Sequence, residues 1–384
     1  MIEGTSKASL LLLGLVILLP VLLIPQLKGW IRKSSTPANR LLDLRFWRWH
    51  PKQSTEIISL RMYPIKSCRG FEVQRATVKE HGLELDRRWM LIDASKNEFV
   101  TIRQTPKMTL IGTALSPDGN DLMISIPRLG LEREESAGAS SDPKYDATTN
   151  TIRIPAYPTQ EWLQAHTSVA DVKIWGHDTD GYIYCDDINA SFSSFLGYPV
   201  ALVYKGPKPR VVQGNGSLER VGRVQSINFP DEFPVLVASD ASLNELNTRL
   251  RDRGADPITI ERFRPNIIVR GEKPWSEDLW KLVRIKTISS KDSGDAGMQE
   301  DQAPLLMDIV TRCGRCQVPN VDPDSAVKNK KQPWDTLMSF RRVDAGLKYK
   351  PCFGMMGMPR KEGVVEVGMR FEVLEETTEH RYIM

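Results

Sequence analysis

The pattern of apolar and polar positions divides the chain into one long apolar run near its start and many short apolar runs after it. From Thr55 onward, runs of strand length that are rich in β-branched and aromatic residues alternate with turn residues, which predicts a β-rich body. The predicted strands are Ile57–Tyr63, Phe71–Lys79, Arg88–Asp93, Phe99–Arg103, Val172–Trp175, Tyr182–Cys185, Val235–Ala238, Asn266–Val269, Leu306–Thr311 and a closing pair that ends in Val364–Leu374.

Two segments have the periodicity of helices. Ser239–Arg253 is the stronger one, because Ser239 or Asp240 can cap its start and its leucines recur at helical spacing. Ile188–Leu196 is shorter. Together with the strands, these helices predict an α+β, β-rich protein whose body divides into two subdomains somewhere around residues 160–230.

The long apolar run, Ala8–Leu27, carries no charge. Twenty helical residues at about 1.5 Å each span about 30 Å, which is the hydrocarbon thickness of a bilayer. Lys28, Arg32 and Lys33 follow the run, so the positive-inside rule places the body on the cytosolic side. Residues 1–50 are therefore predicted to be a membrane anchor and linker. A cleaved secretory signal is the alternative.

Composition excludes several classes of protein. The chain has 384 residues, of which 41% are hydrophobic and 26% charged, which excludes a disordered, collagen-like or multi-span membrane chain. A net charge of +4 is too weak to indicate a nucleic-acid partner. Glu134–Asn150 and Ser289–Ala303 are polar and predict exposed loops. The five cysteines, an odd number, favour a reducing compartment over an extracellular disulfide framework.

The short motif best suited to metal binding or thiol chemistry is Cys313-Gly-Arg-Cys316. A thiolate is a soft metal ligand, and Arg315 would favour the ionised form. Zinc would require a second pair of ligands, and a thioredoxin-like dithiol would require the pair to open a helix, whereas a proline-containing turn follows here. From the spacing alone, a functional thiol and two structural cysteines both remain open.

Cationic residues lie next to the ends of three predicted strands. Lys66 and Ser67 lie in a turn after the first strand and form a possible anion cradle. Arg87 and Arg264 each precede another strand, where a guanidinium could bind a phosphate bidentately. A solvated turn and surface ion pairs are the alternatives at these positions.

Four segments together resemble one family. They are YPIKSCRG (Tyr63–Gly70), LDRRWMLID (Leu85–Asp93), RFRPNIIV (Arg262–Val269) and RCGRCQVPNVDPDS (Arg312–Ser325), hereafter the first to fourth motifs. Their order resembles that of proteins in which an N-terminal β-barrel domain joins a MOSC (molybdenum cofactor sulfurase C-terminal) domain, and most of all the mitochondrial amidoxime-reducing components. The resemblance covers roughly residues 55–375 and includes the N-terminal anchor.

The resemblance implies a fold and a site. It implies an N-terminal MOSC β-barrel-like subdomain over residues 55–200 and a MOSC β-barrel domain over residues 201–380, preceded by one transmembrane helix. It implies molybdenum–molybdopterin as cofactor, with Cys316 as the catalytic metal ligand. The implied cofactor-binding residues are Lys66, Ser67, Arg87, Arg264, Asn266, Gly314 and Arg315.

The implied function is reduction of N-hydroxylated compounds such as amidoximes, hydroxylamines and N-oxides. The chain has no glycine-rich dinucleotide motif, and the resemblance implies electrons from a b-type cytochrome and its NADH-dependent reductase. It also implies a cytosol-facing body on the outer mitochondrial membrane, with another cytosol-facing membrane as the alternative. A sulfur or cofactor carrier and a cofactor-free membrane-tethered barrel remain alternatives. The chain departs from the family around the expected substrate pocket, at Glu232, Phe233 and Met356.

Overall fold

The computed structural model describes residues 50–128, 148–287 and 303–383. The predicted anchor Ala8–Leu27 lies outside the described residues, and the predicted loops Glu134–Asn150 and Ser289–Ala303 lie almost wholly outside them. No helix within the described residues is long and apolar enough to cross a membrane.

Strands dominate the described residues, as the sequence predicts. The strands are β1 Gln53–Met62, β2 Phe71–Val73, β3 Arg75–Lys79, β4 Gly82–Leu83, β5 Trp89–Asp93, β6 Glu98–Phe99, β7 Gly112–Leu115, β8 Asp121–Pro127, β9 Thr149–Pro155, β10 Thr167–Ile174, β11 His177–Tyr184, β12 Val200–Lys205, β13 Arg210–Val211, β14 Ser226–Ile227, β15 Val235–Ser239, β16 Ile267–Val269, β17 Trp280–Lys286, β18 Leu305–Gly314, β19 Cys352–Pro359, β20 Gly363–Glu366 and β21 Arg370–Glu376. The α-helices are α1 Gln160–His166, α2 Asp186–Leu196, α3 Leu218–Val221, α4 Asp240–Asp252 and α5 Trp334–Phe340. Short 3-10 helices span Pro106–Leu110, Gly214–Gly216, Ile260–Phe263, Ser276–Leu279 and Val318–Asn320.

The larger sheet is closed into a barrel. Its strand order is β16-β15-β19-β18-β17-β21-β1-β2, and a further pairing between β1 and β16 closes the ring. Alternate side chains of these strands point inward, and residues such as Val237, Ile309 and Phe371 are fully or almost fully buried. The barrel therefore has a packed apolar interior.

A second, smaller barrel is formed by β10-β11-β12-β5-β6. Its buried cluster includes Met90, Ile92, Val172 and Val203, together with Phe229 from the loop after β14. That loop therefore reaches from the second barrel towards the start of β15. Smaller sheets, β7-β8-β9, β20-β3-β4 and β13-β14, pack around the two barrels.

The first strand pairs with strands from the far end of the chain. Within β1, Gln53 lies opposite Val373 of β21, and Leu60 lies opposite Ile267 of β16. Pro51–Met384 accordingly forms one unit. The boundaries predicted from the resemblance, residues 55–200 and 201–380, remain a prediction.

The structure confirms the two predicted helices and corrects local details. Helix α4 spans Asp240–Asp252 with its leucines buried, but Ser239 at its N-cap makes no side-chain capping bond. The predicted strand Phe99–Arg103 is wrong beyond Phe99. Thr101 O accepts hydrogen bonds from Gln104 N and Thr105 N, at 3.1 and 2.9 Å, so the chain turns there.

Candidate functional site

Hydrogen bonds join the four motifs into one structure. The first meets the second where Arg87 N donates to Tyr63 O at 2.8 Å. The second meets the third where Arg87 Nη2 donates to Arg264 O at 3.0 Å. The third meets the fourth where Arg315 Nη2 donates to Phe263 O at 2.8 Å. Segments far apart in sequence therefore converge on one place in the fold.

A cavity of about 150 Å³ lies where the motifs converge. All eight residues predicted to form the site line it: Lys66, Ser67, Arg87, Arg264, Asn266, Gly314, Arg315 and Cys316. Its other walls include Arg103 and the loop Pro230–Pro234, together with Met356 on β19. We call this cavity the cleft.

Three of the residues that line the cleft have left-handed backbone conformations. Ser67, Arg87 and Arg264 have φ values of 69°, 47° and 58°. Such conformations cost roughly 1–2 kcal/mol for residues that carry a Cβ, and they concentrate at functional sites. The surrounding fold holds three sharp turns whose side chains face a shared cavity.

The aromatic ring of Tyr63 supports two of the arginines. The guanidinium carbon of Arg87 lies 4.5 Å from the ring centre, and that of Arg264 lies 4.3 Å from it. Arg87 also donates to Asp86 Oδ2 at 2.6 Å, which balances its charge. Among the described residues Arg264 forms no such ion pair, and its buried Nη2 atom donates no hydrogen bond.

The surroundings of Arg264 favour a bound anion. Burial, followed by repulsion from Arg87, lowers the pKa of the Arg264 guanidinium to about 10. A buried cation with an unpartnered donor is costly unless a negative group meets it. The cleft is thus suited to an anionic ligand at this wall.

Lys66 and Arg103 meet at a single carboxylate, that of Asp231. Lys66 Nζ donates to Asp231 and, at 2.9 Å, to Phe229 O. Arg103 Nη2 donates to Asp231 Oδ2 at 3.0 Å, and Trp175 Nε1 donates to Asp231 Oδ1 at 3.1 Å. Burial lowers the pKa of Lys66 to about 8, although Asp231 opposes this shift.

Asp231 stays ionised in this setting. Burial alone would raise the pKa of its carboxyl group, but Lys66 and Arg103 hold that pKa well below its usual range. Burial lowers the pKa of Arg103, but Asp231 and then Cys316 outweigh it and leave the pKa raised. The Arg103 guanidinium therefore lies beside both the carboxylate and the Cys316 sulfur.

The two cysteines of the fourth motif occupy different environments. Cys313 is buried, and its Sγ accepts a hydrogen bond from Arg315 Nη1 at 2.9 Å. Burial raises the pKa of the Cys313 thiol, despite the nearby Arg315. Cys316 is partly exposed on the cleft wall. Both cysteines line the cleft, but Cys316 is the more exposed of the two and is therefore the sulfur that a ligand can reach more readily.

The other cysteines lie in less suitable places. All five are free thiols. Cys68 and Cys352 are buried, and burial raises the pKa of each to about 12. Cys185 is exposed, at the N-terminus of α2. A partly exposed thiol that faces the cleft thus distinguishes Cys316 from the others.

Two of the predicted residues have evident structural roles in the cleft wall. The side-chain amide of Asn266 accepts from Leu236 N at 3.1 Å and donates to Arg61 O at 3.3 Å, so it ties together strands of the larger barrel. At Gly314 a Cβ atom would come within 2.7 Å of Leu347 Cδ1. Both residues shape the wall on which the charged groups stand.

Sequence reasoning did not select Asp231, Arg103 or Trp175 as site residues. The Trp175-Gly176 pair forms the turn between β10 and β11, with φ values of 52° and 77°, and this hairpin brings the indole to Asp231. An aromatic residue before glycine between two strands is a weak signal that a turn there has a special role.

The departures from the family pattern also lie at the cleft. Glu232, Phe233 and Met356 all line it. Tyr382, from the end of the chain, donates its hydroxyl to Glu232 Oε1 at 2.8 Å. Nothing in the sequence around Tyr382 predicted that contact.

Comparison with known families and proteins gives consistent matches. Residues 54–199 match the MOSC N-terminal beta barrel domain, and residues 224–372 match the MOSC domain. Mitochondrial amidoxime-reducing component 1 of Xenopus laevis is 29% identical over 344 residues, which cover 84% of this chain and 85% of that protein. Mitochondrial amidoxime reducing component 2 of Rattus norvegicus is 29% identical over 318 residues, 80% of each chain. Molybdenum cofactor sulfurase of Oryza sativa subsp. japonica is 30% identical over 311 residues, 78% of this chain but 32% of that protein.

Proposed function

This chain belongs to the MOSC-domain proteins that carry an N-terminal MOSC β-barrel domain, and from that premise we propose that it is a molybdenum-cofactor-dependent reductase of N-hydroxylated compounds. The substrates are amidoximes, hydroxylamines and N-oxides. Support comes from relatives named amidoxime-reducing components, which match over most of the chain. The observation that carries the proposal is the pairing, in one cleft, of the partly exposed Cys316 thiol with the Arg264 guanidinium, whose buried Nη2 atom has no hydrogen-bond partner among the described residues.

The side chains of the cleft suit molybdenum–molybdopterin. The cofactor combines an anionic phosphate and dithiolene with a metal that accepts a soft protein ligand. Arg264 offers an unpartnered donor for negative charge, and Cys316 offers a thiolate. When bound, the cofactor would supply the chemistry that removes an oxygen atom from an N–O bond.

Each residue then has a definite task. Cys316 holds the metal, while Arg264, Arg87 and Lys66 bind the negative groups, with Ser67 in the same turn as Lys66. Arg315 supports the wall through its bonds to Cys313 Sγ and the third motif. The remaining cofactor contacts proposed from the resemblance are Asn266 and Gly314.

The reaction requires an external source of electrons. Converting N–OH to N–H and water consumes two electrons and two protons, and no dinucleotide-binding motif occurs in the sequence. We therefore propose a b-type cytochrome and its NADH-dependent reductase as partners. Residues 8–27 would anchor the protein in the outer mitochondrial membrane with its body in the cytosol, in line with relatives that are named mitochondrial.

A sulfur or cofactor carrier is the second candidate. It is favoured by the similarity to the rice protein named molybdenum cofactor sulfurase, one third of whose length this chain matches. A carrier would bind the cofactor without turning over benzamidoxime, so a turnover assay separates the two functions. Metal analysis of the purified protein separates both from a cofactor-free tether.

The decisive test compares the two cysteines of the fourth motif. Cys316→Ser replaces a soft ligand by a hard, poorly ionised hydroxyl, so we expect reductase activity to be nearly abolished. Cys313→Ser should keep most of the activity and most of the molybdenum, because Cys313 is buried on Arg315. The measurement is activity per bound molybdenum in each variant. Equal losses would indicate a dithiol site, and an active Cys316→Ser protein would overturn the proposal.

A further inference from the structure

The two neighbouring carboxylates of the loop Pro230–Pro234 have unequal numbers of partners. Asp231 is occupied by Lys66, Arg103 and Trp175. Among the described residues, the Glu232 side chain accepts one hydrogen bond, from the Tyr382 hydroxyl at 2.8 Å, and Lys350 and Arg103 act on it through their charges. An ionised carboxylate can accept about four hydrogen bonds. Glu232 is an exposed residue that lines the cleft, and it has acceptor capacity to spare.

Tyr382 is fixed in place by hydrogen bonds of the segment 379–383, hereafter the tail. Tyr382 N donates to Asp344 Oδ1 at 2.9 Å. Asn215 donates to Arg381 O at 2.9 Å and accepts from Ile383 N at 2.6 Å. The tail is thus held on both sides of the tyrosine.

Close packing confirms how tightly the tail is seated. A Cβ atom on Gly346 would come within 2.0 Å of Tyr382 O, so only glycine leaves room for the tail there. Upstream, Arg312 Nη1 donates to His380 O at 2.8 Å. Because its backbone is held, the Tyr382 hydroxyl can hold Oε1 of Glu232 in one position.

Several charged and titratable groups act on Glu232. Tyr382 comes from the tail, Lys350 from the segment before β19, and Arg103 from the turn after β6, while Asp231 is its neighbour in the loop. Its carboxylate also contributes to the raised pKa of Cys313 on β18. Glu232 therefore stands within electrostatic range of the motif that carries Cys316.

We propose that Glu232, positioned by Tyr382, is a specificity-determining residue that accepts a hydrogen bond from an N–H group adjacent to the reducible nitrogen. This inference rests on the proposed reductase function. In an amidoxime the carbon that bears the N–OH nitrogen also bears an amino group, whereas pyridine-type N-oxides carry no N–H donor. The chain is accordingly selective for amidoximes over such N-oxides, and it binds the amidine product through the same carboxylate.

The test uses the full chain and two substrates, benzamidoxime and pyridine N-oxide. Glu232→Gln should lower the ratio of their kcat/KM values at least tenfold, because it removes a charge-assisted hydrogen bond that only benzamidoxime makes. Tyr382→Phe keeps the carboxylate but removes the hydrogen bond that positions it. The ratio should therefore fall about threefold, because KM for benzamidoxime rises while kcat stays the same. Glu379→Gln removes an equal charge from the exposed part of the tail and should leave the ratio unchanged.

A binding measurement makes the inference independent of turnover. Calorimetry with benzamidine should show a Kd at least tenfold higher for Glu232→Gln than for the parent protein or Glu379→Gln. Equal benzamidine affinity in all three proteins would overturn the inference, whether or not the reductase is active. Loss of both substrates in equal proportion would also overturn it while leaving the proposed function standing. A parent protein that binds benzamidine through Glu232 but reduces neither substrate would instead refute the proposed function.

Discussion

Arg264 shows how the charge balance of single residues determines what the cleft can bind. Asp231 is shared by Lys66 and Arg103, and Asp86 balances Arg87. Arg264 is half-buried, and its buried Nη2 atom has no hydrogen-bond partner among the described residues. An incoming anion could therefore accept a hydrogen bond from Arg264 without displacing an existing partner.

We expect Arg264→Ala to weaken cofactor binding about ten- to a hundredfold, since it removes charge-assisted hydrogen bonds of roughly 1.5–3 kcal/mol. Alanine also carries a Cβ, so the cost of the left-handed backbone at φ 58° stays the same and the change reports on the side chain. The measurement is molybdenum content per protein, together with the urea midpoint. Arg251→Ala, an equal loss of charge at an exposed position on α4, is the matched control. Unchanged molybdenum content in a folded Arg264→Ala protein would contradict the assignment.

The sequence predicted which residues converge at the site but not how they are paired. The family resemblance carried by the four motifs selected eight residues, and the fold brings all eight to one cavity, although their roles in binding stay a prediction. The pairing of Lys66 with Asp231 depends on the conformation of the loop after β14 and on Phe229, which is buried in the small barrel. Such distant packing leaves no local signal in a sequence.

Local pattern predicted some elements and not others: strands β12 and β17 contain β-branched residues but were not predicted. Helix α4 follows its leucine periodicity. The run Phe99–Arg103 has the composition of a strand, but backbone bonds to Thr101 turn the chain instead. Strand β19, Cys352–Pro359, was missed because its glycine- and methionine-rich sequence lacks β-branched residues. Its pairing with β18 and β15 overrides that weak propensity.

The 3-10 helix Ser276–Leu279 carries a buried acid that should make stability depend on pH. Glu277 is fully buried. Burial raises the pKa of its carboxyl group to about 7, while Ser242 partly offsets the shift and Asp278 adds to it. Between about pH 4.5 and pH 7 the folded protein holds a proton that the unfolded chain has released. Stability should therefore fall as the pH rises through this window.

Glu277→Gln removes the titrating group while keeping its shape. Relative to the parent protein, we expect the free energy of unfolding of the variant to be higher by up to about 3 kcal/mol above pH 7 and to be unchanged near pH 4.5. Urea unfolding at pH 4.5 and pH 8 measures the difference. Glu379→Gln, at an exposed position, should show no such dependence on pH. A gain that is equal at both pH values would show that the Glu277 proton is not responsible.

For the whole molecule, the proposed reaction fixes how electrons must be supplied. Because no dinucleotide motif occurs in the sequence, NADH alone should not support benzamidoxime reduction by the purified protein. Adding a b-type cytochrome and its NADH-dependent reductase should start turnover, measured as benzamidine formed. Omitting only the cytochrome is the control. Robust turnover with NADH alone would refute this electron route.

The predicted anchor has a consequence for topology. Residues 8–27 are uncharged and are followed by cations, so the body should face the cytosol. Protease added to intact organelles should digest the body and leave a short fragment in the membrane. Detergent-treated organelles provide the control for protease activity. Protection of the whole body until detergent is added would contradict the predicted orientation.

The pairing of β1 with β21 also constrains the order of events during synthesis. The strand that follows the first fifty residues cannot complete its sheet until residues 370–376 have left the ribosome, because Gln53–Glu56 pair with Val373–Arg370. Nearly the whole chain must therefore be made before the larger barrel can close, which gives this barrel a high contact order. Until then the β1 edge remains open to wrong pairing. We expect nascent chains that stop before β21 to depend on chaperones, whereas the five-stranded barrel, complete by Lys205, can form earlier.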